Sequence, residues 1–158
     1  MGYYMRYVST DQRPVTAAEL RNALLATGPG YDIQVDDVAA TIIHAGVTIA
    51  HVEINVPGDG LFDEERDELV EFAVNTTGDL AAKERVLQTL RMAQTIVATQ
   101  VLFGTGENDS TLRRLDPLWA WLFRNRQGLL QAEGEGYYDV RGLVLRMERG
   151  GGHRAPAV

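Results

Sequence analysis

In His51-Val52-Glu53-Ile54-Asn55, the alternation of a strand puts His51, Glu53 and Asn55 on one face. Successive members of such a set lie about 6.5–7 Å apart. An imidazole beside a carboxylate is the usual acid–base pair near neutral pH. His44 lies just upstream, across the Ala45-Gly46 pair. With a two-residue turn there, His44 pairs with Val47 and Ala40 with His51, which brings His44 onto the same face. Two imidazoles and a carboxylate are a metal-ligand set in principle. The plainer reading is a half-exposed sheet face with mixed polar residues, and it is the one adopted: no metal and no cofactor are expected.

Glu133-Gly134-Glu135-Gly136-Tyr137-Tyr138-Asp139 has the most unusual local composition. Its paired carboxylates suit acid–base work, and its glycines allow close backbone approach. The structural alternative is a tight hairpin turn with tyrosines packed beside it. His51, Glu53, Glu135 and Asp139 are therefore the candidate catalytic groups, provided that they converge. Trp119, Phe123, Tyr137 and Tyr138 are candidate binding residues, because aromatic side chains dominate interface hot spots. Trp119 and Phe123, one helical turn apart, mark a partner surface if both point outwards.

Other stretches carry less. The acidic run Asp63, Glu64, Glu65, Asp67, Glu68 lacks calcium-loop spacing and reads as a solvated helix face. Gly104-Thr105-Gly106 follows a strand, but it lacks the lysine of a phosphate loop, and Glu107 and Asp109 beside it repel phosphate. There is no cysteine, which removes thiolate chemistry and disulfides and fits a reducing cytoplasm.

The elements that must position these residues are organised around Thr95 to Gly104, T-I-V-A-T-Q-V-L-F-G. This run is too short for a free-standing helix and too continuously apolar for an exposed strand, so it reads as a strand buried on both faces. Before it, Tyr3 to Ser9 alternates as a first strand. Thr16 and Glu19 form a capping box, with Val15 and Leu20 at the staple positions. Tyr31 to Val35, Val38 to His44 and Val47 to Val56 read as strands, with Ala50, Val52, Ile54 and Val56 turned toward helices and Ile49 turned with His51. Leu61 to Thr77 and Leu80 to Gln94 read as helices, the second capped by Asp79. Phe62, Leu69, Phe72 and Ala73 are the apolar face of the first, and Leu80 opens that of the second. A Trp-rich helix follows the central strand, restarted at Asp116-Pro117. Strand pieces Leu129 to Ala132, Tyr137 to Val140 and Leu143 to Met147 close the fold.

This order predicts an α+β fold: a ferredoxin-like split β-α-β sandwich, mostly antiparallel, with helices on one face and a C-terminal α/β extension. The C-terminal strands are expected to pair with the apolar central strand or cover it. One domain is expected over 1–149, with a flexible tail over 150–158.

Charge narrows the function classes. The net charge is −7. Residues 1–112 hold 7 Lys and Arg against 17 Asp and Glu, whereas residues 113–158 hold 8 against 5. An acidic body argues against nucleic-acid binding. No stretch approaches the ~18 apolar residues of a membrane span. The expectation is a non-enzymatic cytoplasmic binding protein, a homodimer or the regulator of a basic partner protein. The alternatives are a small enzyme using His51 and Glu53 with the Glu133–Asp139 loop, and a small-ligand sensor with its pocket under the Trp helix.

Overall fold

The computed structural model describes residues 3–104 and 108–147. Its elements run β1 (Tyr3–Ser9), α1 (Ala17–Thr27), β2 (Tyr31–Val35), β3 (Ala39–His44), β4 (Val47–Asn55), α2 (Phe62–Asn75), α3 (Leu80–Arg91), β5 (Thr95–Val101), α4 (Asn108–Asn125), β6 (Gly128–Ala132), β7 (Gly136–Asp139) and β8 (Gly142–Arg146). The expected 150–158 tail and the Thr105-Gly106-Glu107 part of the glycine loop lie outside the described residues.

Local rules set the element ends. Thr16 and Glu19 make both bonds of the capping box at the start of α1. Asp79 accepts from the Ala82 amide and caps α3. Asp59 stands in front of α2 and accepts from the Leu61 and Phe62 amides, and from Val56 behind it. Partial burial pushes its carboxyl up, but those three amides outweigh that and hold it below the usual carboxylate range. Ala45 and Gly46 both have positive φ, 51° and 81°, as the two-residue turn between β3 and β4 requires.

The class is mixed α+β, but the strand order is not that of a simple ferredoxin-like sandwich. The eight strands lie in the order β2-β3-β4-β5-β1-β6-β7-β8. Every neighbouring pair is antiparallel. β5 needs no rescue by C-terminal strands, because it already lies between β4 and β1. β6, β7 and β8 instead extend the sheet from the far side of β1. A strand that is buried on both faces is most stable where both of its edges are also paired.

The helices cover both faces, not one. Met5, Tyr7, Val52, Val97 and Leu130 pack with α1 and α4 through Leu20, Leu24, Leu118 and Leu122. Val8, Ile96, Leu129, Tyr137 and Leu145 pack with α2 and α3 through Phe62, Leu69, Val86 and Leu90. Successive residues of β5, Ile96 and Val97, enter opposite cores. Their shared hydrophobicity demands a helix layer on each side, which one layer cannot supply.

The two layers are staggered. Strand residues of the α1/α4 core come from β1 to β6, whereas those of the α2/α3 core come from β1 and β5 to β8. The second face of β2, of β3 and of β4 as far as Glu53 therefore has no helix over it, whereas Asn55 at the end of β4 lies under α2. Two apolar side chains expected on helix core faces lie outside them: Phe72 is 52% exposed and Leu80 75%.

Candidate functional site

The uncovered face is where the polar residues of β4 point. The pairing gives two rows across the sheet. One runs Thr41, His51, Gln100, Tyr4. The other runs Ala39, Glu53, Ala98, Arg6, Gln131, Tyr137. His51, Glu53, Asp32 and Gln34 are exposed, and Asn55 is buried. His51 and Glu53 thus share a face as the alternation requires. The nearest polar group to the imidazole is Thr41, whose hydroxyl lies 3.3 Å from Nδ1.

His44 does not join them. The register shifts between Ile42 and Ile43, so that Ile42 faces Ala50 while Ile43 faces Thr48. Ile49 is the extra residue of a β-bulge. It is buried with Ala50 in the α1/α4 core instead of facing out with His51. The bulge moves the partner of His51 from Ala40 to Thr41 and leaves His44 on the other side of the sheet. There the His44 ring meets Tyr31 edge-on at 4.8 Å. The two imidazoles and Glu53 do not form a ligand set. Among the described residues, no cluster of three or more His, Asp or Glu is placed to hold a metal.

The Glu133–Asp139 residues are structural ties at separate places. Glu133 accepts from the Tyr4 amide at 2.9 Å. Glu135 is bracketed by two phenols, Tyr3 at 2.7 Å and Tyr138 at 2.8 Å. Desolvation and that hydrogen bond push the Tyr3 hydroxyl above its ordinary pKa. Tyr3 and Tyr138 both pack against the α1/α4 core, so Glu135 serves the face opposite His51. Asp139 pairs with Arg85 of α3 at 2.9 Å, in an open cleft of ≈ 380 Å³ that Arg141 and Leu143 also line. It is on the order of 19 Å from β4, four strand spacings away. Gly136 explains the odd composition: a Cβ there would lie 2.0 Å from the Leu145 carbonyl.

The aromatic residues are mostly core. Trp119 is 6% exposed and Tyr137 0%, so neither presents a side chain to a partner. Phe123 is half-buried and stands edge-on to Tyr7 at 5.1 Å. Leu115, Leu118 and Trp119 pack in the same core as Tyr7 and Val97, where the small-ligand sensor alternative puts its pocket. Of the C-terminal arginines, Arg126 is buried. It donates to Arg13 and Pro14 carbonyls and pairs with Glu19 at 3.0 Å.

Sequence inspection missed a polar joint between α2 and the sheet. Arg6 donates Nε to Glu65 at 2.6 Å and Nη1 to Gln131 at 3.1 Å. Asn55 donates to the other Glu65 oxygen at 3.1 Å. Both charged side chains are largely buried, at 20% and 16% exposure. The lone arginine in the first strand was the available signal, since an inward polar residue on a sheet seeks a partner. Glu68 and the exposed Phe72 follow Glu65 at helical spacing along one flank of α2.

The electrostatics of this region have one sign. Strands β2 to β5 carry no Lys or Arg. Residues 28–82 hold twelve Asp and Glu against one basic residue, Arg66. That arginine is paired with Asp63 and Asp67 on α2. No family model, curated protein or solved structure matches this chain.

Proposed function

We propose that this protein is a non-enzymatic binding module that receives a positively charged segment of a partner on the uncovered β2–β4 end of its sheet. The observation that carries the reading is the conjunction of an open three-strand face with an acidic surround free of unpaired Lys or Arg among the described residues 28–82. Such a surface attracts cationic chains and speeds their encounter. The enzyme reading has less support, because His51, Glu135 and Asp139 do not meet. A homodimer through this same face would set like charges against each other, so self-association belongs at an edge strand, β2 or β8. A cytoplasmic setting goes with the absence of cysteine. Among the described residues, no helix is long and apolar enough to cross a membrane.

The test is a titration of isotope-labelled protein with a lysine- and arginine-rich peptide, followed residue by residue by NMR. Amide shifts should gather on Asp32, Gln34, Thr41, His51, Glu53 and Gln100, and the affinity should fall as salt rises. Shifts scattered over the C-terminal half, or no binding at low salt, would overturn the proposal.

A further inference from the structure

We infer that the uncovered face selects arginine over lysine in the segment it binds, an inference that rests on the binding reading above. Farther along the same side of the sheet, where α2 covers it, the protein already holds one guanidinium, and holds it in a way that an ammonium cannot imitate. Arg6 meets a carboxylate through Nε and an amide carbonyl through Nη1, and its Cζ lies over the Tyr4 ring, 5.1 Å from the centroid. Carboxylate, amide oxygen and ring together match a planar, forked cation.

Glu53 presents a second carboxylate two strands away in the same row, here exposed. Among the described residues it has no ion-pair or side-chain hydrogen-bond partner. Ala98 stands between Glu53 and Arg6 and is buried, so the open part of this row ends at Glu53. One row along, Gln100 supplies an amide oxygen and His51 a ring, on the same face as Glu53. A guanidinium arriving at Glu53 therefore finds a carboxylate for two parallel N–H bonds, a carbonyl beside it and a ring to lie against. A lysine ammonium gains the charge alone, and it gives up a tighter hydration shell to do so. Charge complementarity commits the site to a cationic chain, and the Arg6 arrangement says which cation.

The experiment compares oligo-arginine and oligo-lysine of equal length by calorimetry and NMR at one salt concentration. Oligo-arginine should bind roughly tenfold tighter. In Glu53→Gln that preference should shrink toward unity, while the thermal midpoint stays near wild type, since Glu53 is exposed. Equal binding of both peptides, with both shifting the sheet-face amides, would overturn the arginine preference and leave the binding reading standing. A preference that survives intact in Glu53→Gln would also overturn it, because the selection would then lie elsewhere. Binding of neither peptide would overturn both.

Discussion

The two sides of β4 carry opposite chemistry from alternate residues of one strand. Ala50, Val52 and Ile54 are buried among α1 and α4 side chains, whereas His51 and Glu53 stand in solvent on the side that α2 and α3 do not reach. Both sides have the same backbone, the same neighbours β3 and β5 and nearly the same sequence position. The difference comes from where the helix layers fall. It teaches that a polar row on a strand is a surface only if the layer on its side stops short. Asn55, two residues on, is already covered and bonded to Glu65.

The sharpest way to break this contrast is to exchange the character of the two sides. Val52→Asp puts a charge into a site that is 1% exposed and should cost about 4 kcal/mol or more, enough to unfold a marginal domain. His51→Ala, its neighbour, should stay within about 0.5 kcal/mol of wild type. Chemical denaturation of the pair measures both. Similar losses would mean that the His51 side is covered after all. A smaller effect tests the bulge. Ile49 is 2% exposed, so Ile49→Ala should cost about 2–4 kcal/mol by the same measurement. An unchanged midpoint would put Ile49 on the His51 side, as an unbulged hairpin requires. The smallest effect has the opposite sign. Thr99 lies in the Val52 row, fully buried, with no hydrogen-bond partner for its hydroxyl. Thr99→Val should raise stability by about 1 kcal/mol, since it removes an unpaired polar group and keeps the shape. A loss of stability there would reveal a partner for that hydroxyl.

Much of the fold was legible because it rests on short-range rules. The capping box at Thr16 and Glu19, the Asp79 cap, the Ala45-Gly46 turn and the doubly buried Thr95 strand are each written within a few residues. The facing of Ala50, Val52 and Ile54 was legible for the same reason. The bulge was not, because Ile49 interrupts an apolar run with another apolar residue, and no Gly or polar break announces it. That one extra residue decides whether His44 and His51 share a face, so the candidate metal set depended on the least visible feature of the hairpin. The strand order was also hidden. The composition of β5 requires two covered faces and two paired edges, but it does not say that β4 and β1 supply them. Phe72 misled because an apolar residue beside Ala73 passes for part of the stripe until the position of α3 is known. The Arg6–Glu65 joint links residues far apart in the chain, where spacing carries no information.

The central place of β1 has a consequence for how the molecule is made. Tyr7 faces Val97 on one side and Leu130 on the other, so β1, the earliest of these eight strands to be made, has both partners far downstream. Synthesis at 5–20 residues per second leaves it waiting on the order of ten seconds for β5, its earlier partner. Such distant pairings also slow the search for the native topology, because each closes a long loop before any contact rewards it. Through that interval Met5, Tyr7 and Val8 offer an unpaired apolar strand to chaperones or to other nascent chains. Of the eight strands, the one made earliest is the one whose pairing waits longest.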